Sequence, residues 1–216
     1  MNLGENLRSR AYKEIKQKIV LSELRQGEKI FESDMVELMN ISRTPIREAL
    51  LLLENEGLVE YSKKQGFTVR RIDVREVEEY FTYRELLESN SAEMIVKNIT
   101  DEQLAKIEAC FEKQSILYRE KKINDFILCN FEFHDLIWQA SGSAIYKALI
   151  TTLNNMFVII PVLKARVPKG IERAFSGHQK IMIALETRDA LELKNALVEH
   201  LHDSKPFNFG VELISM

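Results

Sequence analysis

Apolar residues recur every three or four positions along most of this chain, which is the period of an amphipathic helix. The first such stripe predicts a helix over residues 5–24. A short second helix is expected to run through Met39, with Glu32 or Ser33 as its N-cap. A third stripe predicts a helix over residues 43–56. The N-terminal region is therefore expected to be three short helices.

The period then changes from that of a helix to that of a strand. Gly57 stops the third helix, and apolar and polar residues alternate over residues 58–61 and 67–70. Between these two predicted strands lies a basic turn that contains Lys63 and Lys64. Such a turn is suited to a wing that lies along a nucleic-acid backbone or in a minor groove.

Beyond residue 73 only the helical period is present. Six helices are predicted, with spans 74–98, 101–121, 123–140, 143–163, 170–187 and 189–204. The fold class expected is mainly α, an N-terminal winged helix-turn-helix followed by an all-helical antiparallel bundle. The domain boundaries expected are 1–72 and 73–205, with a tail at 206–216.

Composition agrees with a helical, well-packed protein. Hydrophobic residues make up 45% of the chain, and there are only 8 glycines and 4 prolines. The two cysteines show no CxxC spacing, which favours a reducing compartment. The N-terminus has no apolar core of a signal peptide, and no run approaches the length of a membrane span. We therefore expect a cytoplasmic protein without membrane association.

The net charge of −3 is unevenly distributed along the chain. Residues 1–72 contain 13 Lys and Arg against 11 Asp and Glu, whereas the remainder contains 17 against 22. The excess of positive charge is small but lies in the half with the wing. Contact with DNA phosphates needs only such a local basic patch.

The start of the third helix carries the residue types that read DNA. Ser42 is the expected N-cap, and Pro45 is tolerated in the first turn. The buried stripe of this helix leaves Arg43, Thr44 and Arg47 exposed. In a helix-turn-helix this end enters the major groove, where arginine pairs with guanine. A small helix–hairpin module with a solvated basic tip is the alternative.

Three of the four histidines lie on inward faces of different helices. These are His134, His178 and His200, whereas His202 should point outward. Asn130 precedes His134 by one helical turn. One inward histidine alone is usually a satisfied core residue, but three that converge are better explained as a site for Zn, Ni, Mn or Fe. The sequence alone leaves their convergence open.

Arg84 and Glu88 lie one turn apart on the first long helix. They are either a structural pair at a helix interface, or Arg84 faces a cavity and binds the carboxylate of a small organic acid in a fork. Both interpretations stay open at this point.

The N-terminal third resembles the GntR family of winged helix-turn-helix transcription regulators. The resemblance rests on GEKIFE at 27–32, SRTPIREAL at 42–50, LENEGLVE at 53–60 and QGFTV at 65–69. It implies that Arg43, Thr44, Arg47 and Gly66 contact DNA. Ser33 stands where relatives often carry a DNA-contacting residue, although its short side chain reaches less far.

The remainder, over about residues 75–204, resembles the FCD domain, the helical ligand-binding domain of FadR-type members. That resemblance implies a metal held by a carboxylate four residues before the first of three histidines. The matching positions are Asn130, His134, His178 and His200. Asn130 replaces the usual aspartate and supplies no negative charge, so metal affinity should fall. Gly177 replaces an acid that often precedes the histidine. A nearby arginine, here Arg84, often meets the effector.

The predicted function is a ligand-responsive, DNA-binding transcription regulator that forms a homodimer on a near-palindromic double-stranded operator. The resemblance implies repression that a small carboxylate relieves. One rival is a metal-dependent enzyme, suggested by the dipeptides His134-Asp135 and His202-Asp203. No activated nucleophile or placed acid or base supports it. The other rival is a DNA binder without effector response.

Overall fold

The computed structural model describes residues 6–166 and 169–205. They group into two compact units, which we call the first and second units. Of the described residues, the first contains those up to Val74 with Asn154–Ile159, and the second contains Arg75–Leu153 and those from Ile160 to Lys205. The predicted tail at 206–216 and the loop at 167–168 lie outside the described residues.

The first unit contains three helices and a small sheet. Its elements are α1 (Leu7–Val20), β1 (Lys29–Ile30), α2 (Glu32–Met39), α3 (Arg43–Asn55), β2 (Val59–Ser62) and β3 (Gly66–Val69). The sheet is antiparallel throughout in the order β1-β3-β2, with Ile30 and Tyr61 both opposite Phe67. A helix-turn-helix with a wing is thus present, as the sequence predicts.

Fully buried side chains fix α3 against α1. Ile15 of α1 and Ile46, Leu50 and Leu53 of α3 have no exposed surface. Their spacing on α3 is the i, i+4, i+7 pattern of a core-facing stripe. The opposite face of α3 must therefore point to solvent.

Two local expectations for this unit are wrong. The first helix ends at Val20 rather than residue 24, because Ser22 adopts a left-handed conformation with φ 56°. The N-cap of α2 is Phe31, with no side-chain cap, because Glu32 lies inside the helix. The expected N-cap of α3, Ser42, is confirmed in position, although its side chain makes no capping hydrogen bond.

From Val74 onward the described part of the chain consists of helices and the turns between them, and all but Val74 and Asn154–Ile159 belongs to the second unit. These helices are α4 (Val74–Asn98), α5 (Asp101–Arg119), α6 (Ile123–Ala140), α7 (Ala144–Met156), α8 (Ile160–Arg166), α9 (Gly170–Glu186) and α10 (Ala190–His202). Thr100 and Gln103 close a capping box at the start of α5. The fold class predicted from the sequence is confirmed.

The predicted helix over 143–163 is in fact two helices. The interruption falls at Phe157–Ile159, three buried apolar residues that give no polar break in the pattern. Pro161 supplies the physical reason, because it has no N–H for the carbonyl of Phe157 and its ring would clash with that carbonyl.

The core of the second unit lies between α5, α6, α9 and α10. Its fully buried members include Ile107, Phe133, Ile137, Ile181, Leu185 and Leu193. Among the described residues no helix is both long and apolar enough to cross a lipid bilayer.

Candidate DNA-binding surface and candidate metal site

The exposed face of α3 presents the predicted arginines together. Arg43 and Arg47 are one turn apart, and their side chains are 70% and 48% exposed. Ser42 and Thr44 are also exposed at the first turn. Because the opposite stripe is buried against α1, these four side chains all start from a rigid support.

Arg47 is held in place by neighbours that the sequence analysis missed. Its Nη1 donates to Glu32 Oε1 at 2.7 Å, and Arg43 Nε lies 3.8 Å from Glu32 Oε2. The guanidinium also lies over the rings of Tyr61 and Phe67, at 5.6 and 5.7 Å from their centroids. Hydrogen bonds with Tyr61 and then with Glu32 raise the pKa of Arg47 above its ordinary value.

The arginines line a shallow concave surface, which we call the α3–wing groove. It is formed by Lys29, Ile30, Phe31, Glu32, Ser33, Arg43, Arg47, Tyr61, Lys64, Gln65, Gly66 and Phe67. Five of the predicted DNA-binding residues thus share one surface. Ser42, Thr44 and Lys63 are exposed but do not line it. Gly66 has φ +76°, a conformation in which a side chain would be strained, at the end of the wing turn.

The structure brings the three inward histidines together in the second unit. Ring centroids are 5.2 Å apart for His134–His178 and His134–His200, and 4.7 Å apart for His178–His200. One nitrogen of each lies within 4.8 Å of the others, and all three residues are buried. They come from α6, α9 and α10, so the packing of these helices makes the cluster. We call these residues the histidine cluster.

Gln114 fixes the proton of one member of the cluster. His178 Nδ1 lies 2.9 Å from Gln114 Oε1. A carbonyl oxygen only accepts hydrogen bonds, so Nδ1 donates and the lone pair of the ring is left on Nε2. A metal-binding histidine is commonly oriented in this way by its second nitrogen. Gln114 was not predicted, although a polar residue four positions after Cys110 and seven after Ile107 on an apolar face was a usable signal.

Gly177 makes room for His200, another member of the histidine cluster. A Cβ added there would lie 2.3 Å from His200 Nδ1, 3.1 Å from its Cγ and 3.3 Å from its Cβ. Only glycine therefore lets the ring of His200 lie against the backbone of α9. The departure from the family pattern at this position has a steric reason.

The donor set of the cluster fits a divalent transition metal. Three imidazoles are the ligands that Zn²⁺, Ni²⁺, Mn²⁺ and Fe²⁺ accept, and a three-histidine set leaves a coordination position open. The Phe133 ring lies tilted against His178 and the Trp138 ring stacks on His134, with centroids 4.6 and 5.8 Å apart, and the two give the cluster an apolar wall. Asn130 is half-buried one turn before His134 on α6, and its role as a fourth ligand stays a prediction.

Arg84 and Glu88 form a buried ion pair. Arg84 Nε and Nη2 lie 2.6 and 2.5 Å from Glu88 Oε1, and Nη1 donates to the Tyr80 hydroxyl at 2.8 Å. Burial raises the pKa of the Glu88 carboxyl, and the charge of Arg84 acts against that rise. Among the described residues Glu88 Oε2 has no hydrogen-bond partner. The structural pairing is thus observed, and a ligand-binding role stays a prediction.

The fourth histidine is separate from the cluster. His202 is exposed, and its Nε2 lies 2.8 Å from Glu85 Oε2. The outward orientation expected from the helical period is the one observed.

Comparisons with known proteins agree with both halves of the chain. A model of bacterial regulatory proteins of the gntR family matches residues 7–69, and a model of the FCD domain matches residues 79–203. The Nta operon transcriptional regulator of Aminobacter aminovorans is 31% identical over 190 residues, covering 88% of each chain. The HTH-type transcriptional repressor RspR of Escherichia coli (strain K12) is 24% identical over 203 residues, covering 94% of this chain and 89% of that protein.

A solved structure has the same fold. The structure of E. coli McbR/YncC matches with a TM-score of 0.81 at 21% sequence identity, covering 98% of this chain and 99% of that one. The arrangement of a winged helix-turn-helix before a helical bundle is therefore shared with a known regulator fold.

Proposed function

Since this chain belongs to the GntR family of bacterial regulatory proteins and carries an FCD domain, we propose that it is a ligand-responsive transcriptional repressor. In this proposal it binds a near-palindromic operator as a homodimer. A small organic acid binds beside a divalent metal in the second unit and lowers operator affinity. The observation that carries the proposal is the histidine cluster, buried in a helical unit of a chain that also holds a winged helix-turn-helix.

DNA recognition is assigned to the α3–wing groove. Arg43 and Arg47 point away from the core at the end of α3 that enters the major groove in a helix-turn-helix. Lys64 and Gly66 lie on the same surface, where a phosphate backbone would pass. Two copies would read half-sites about 34–36 Å apart. Glu32 must release the arginines as they meet guanine edges, because a carboxylate repels the DNA.

Metal binding is assigned to the histidine cluster. His134, His178 and His200 would hold the ion, with Asn130 as a neutral fourth ligand. The bound ion supplies positive charge and an open position that attract a carboxylate. Gln114 holds the proton of His178 on Nδ1 and so presents Nε2. Such a ligand changes operator affinity only if it binds one conformation of the dimer better than another.

The pairing of Arg84 with Glu88 favours a second candidate, a DNA-binding regulator without effector response. An arginine already neutralised by a buried carboxylate offers less attraction to an organic acid. In that candidate the histidine cluster would stabilise the helices without sensing a ligand.

The two candidates can be separated with one selected operator. The purified protein, loaded with Zn²⁺, is used to select bound duplexes from a random library, and the dissociation constant of the best duplex is measured by fluorescence anisotropy. A panel of organic acids is then added. At least one acid is expected to weaken operator binding and to raise the melting temperature of the DNA-free protein. If the duplex binds and no acid of any size changes either quantity, the non-responsive regulator is the better account.

The double substitution His134→Ala with His178→Ala is expected to remove bound zinc. Only one imidazole of the cluster remains, too few for a stable site. The measurement is elemental analysis after dialysis against excess Zn²⁺, with His202→Ala as the matched control because His202 is exposed and lies outside the cluster. Equal zinc content in the double variant and the wild type would contradict the assignment.

Substitution Leu149→Glu is expected to turn the dimer into a monomer. Ile145 and Leu149 of α7 are 77% and 54% exposed and lie one turn apart, while Tyr146 and Ile150 bury the other side of the helix. Exposed apolar faces of this kind typically mark interfaces. Light scattering gives the mass, and Ile183→Glu, at a similarly exposed position on α9, is the control. A dimeric Leu149→Glu variant would place the interface elsewhere.

A further inference from the structure

Cys110 of α5 and Cys129 of α6 face each other in the second unit. Their Sγ atoms are 3.6 Å apart, and both thiols are free. Each sulfur also lies near the carbonyl oxygen of the other residue, at 3.8 and 3.7 Å. The reciprocal contacts show that the two backbones approach closely where α5 crosses α6. Nothing in the proposed DNA or metal site uses this pair.

The geometry is close to that of a disulfide. An S–S bond is about 2.05 Å long, so the sulfurs need to approach by only about 1.5 Å. Rotation of the two side chains, together with a small approach of α5 and α6, can supply that movement. A pair with diverging side chains would require a larger backbone displacement.

The thiol pair lies one side chain below the surface. Glu132 is exposed, and one of its carboxylate oxygens lies within 4.8 Å of both sulfurs. Lys113 pairs with Glu132 at 3.4 Å, and both side chains are more than half exposed. A small solute that displaces this exposed ion pair reaches Cys110, the more exposed of the two thiols at 6%. The positive charge of Lys113 makes the same place unfavourable for a metal cation.

We propose that Cys110 and Cys129 are an oxidation site, at which a hydroperoxide converts the two thiols into an intrachain disulfide between α5 and α6. The sulfur of Cys110 attacks the peroxide O–O bond and becomes a sulfenic acid, and the first water leaves. The sulfur of Cys129 then attacks that sulfur, the S–S bond forms, and the sulfenic oxygen leaves as the second water. Two thiols and one H₂O₂ give one disulfide and two waters, so both thiol protons end in water.

The cross-link joins the helix that carries Gln114 to the helix that carries His134. Cys110 lies one turn before Gln114 on α5, and Cys129 directly precedes Asn130 on α6. Drawing the helices together moves Gln114 relative to His178. In the reduced protein the Oε1 of Gln114 accepts a hydrogen bond from His178 Nδ1 at 2.9 Å. The effect of the disulfide on the histidine cluster rests on the proposed metal site, whereas the oxidation itself does not. Loss or displacement of such an outer partner typically changes metal affinity by about tenfold or more.

The oxidation is tested on the full chain, reduced and treated with a chelator, then exposed to H₂O₂ and alkylated under denaturing conditions. We expect the treated protein to lose 2 Da and take up no alkyl group, whereas the untreated protein takes up two. A linked peptide containing both cysteines is expected after digestion under non-reducing conditions. The Cys110→Ser and Cys129→Ser variants should form no intrachain link. Two alkylatable thiols after peroxide treatment would overturn the proposal, as would a link only between chains.

The coupling is tested by zinc affinity of the oxidised and reduced protein, measured by competition with a chromophoric chelator. A change of about tenfold or more is expected. Equal affinities would overturn the coupling and leave the disulfide standing. A wild-type protein that binds no zinc in either state would overturn the proposed metal site, while the mass measurement still decides the oxidation.

Discussion

Replacement of Arg47 by alanine is expected to weaken binding to the selected operator by roughly 10- to 100-fold, with the fold unchanged. Arg47 leaves α3 on the exposed face, and the fully buried Ile46 and Leu50 that hold the helix are not touched. In the proposed complex Arg47 contacts guanine bidentately, so the loss of that contact should weaken binding most on the selected sequence. The measurement is the dissociation constant by fluorescence anisotropy at one fixed salt concentration, on the operator and on a scrambled duplex.

A matched control separates the effect of losing a base contact from the effect of losing one positive charge. Arg119→Ala removes the same charge from an exposed position at the end of α5. It should change neither dissociation constant by more than a factor of about two. The double variant Arg43→Ala with Arg47→Ala should bind the operator no better than the scrambled duplex. An Arg47→Ala protein that keeps wild-type affinity and discrimination would show that α3 does not read bases through this residue.

The substitution Gly177→Ala is expected to weaken zinc binding at the histidine cluster. This is unlike the stabilisation that alanine in place of glycine usually gives within a helix. Within a helix, alanine in place of glycine normally stabilises by about 1 kcal/mol. Here the new Cβ would lie 2.3 Å from His200 Nδ1, so the ring of His200 must leave its place against α9. We expect zinc affinity to fall by at least about tenfold. Chelator competition measures the affinity, and the melting temperature in excess chelator measures the packing.

The neighbouring Ser176→Ala variant is the control, because Ser176 is exposed on the same helix. It should retain wild-type zinc affinity and melting temperature. In excess chelator Gly177→Ala should melt below the wild type, since the displaced ring has to be repacked. A variant that melts higher and binds zinc as tightly as the wild type would mean that His200 adopts another rotamer at no cost.

The helices and the recognition element were predictable because each depends on its own sequence. The period of α6, for instance, is continuous from Ile123 to Ala140, and both ends agree with the prediction. Strand β1 was not predictable, since a two-residue strand has no period and exists only through pairing with β3. The break before Pro161 was missed because the residues around it are uniformly apolar.

The candidate sites also combine features that local sequence predicts with features that it does not. The inward faces of His134, His178 and His200 follow from helical spacing, but their partners do not. Gln114 is 64 residues from the histidine that it orients. Glu32 is 15 residues from Arg47 and lies on a different helix. Such partners are set by tertiary packing, which no local pattern encodes.

The interpretation of Arg84 depended on its neighbours in the same way. From the sequence, a structural pair and a ligand-binding arginine were equally compatible with the spacing. The structure shows Arg84 enclosed by Glu88, the Tyr80 hydroxyl and the ring of Trp138. The rings of Trp138 and His134 stack, so this pair and the histidine cluster share a wall.

The contact between Glu32 and Arg47 has a consequence for how such a protein searches a genome. The Glu32 carboxylate occupies Arg47 in the way that a DNA phosphate would. Any non-operator DNA therefore has to compete with Glu32 for the arginine. DNA that offers only its backbone phosphates can leave Arg47 paired with Glu32, whereas a guanine at the matching position displaces Glu32 from the arginine. If Arg47 reads guanine as proposed, residence on non-operator DNA is shortened and more copies of the protein stay free to scan.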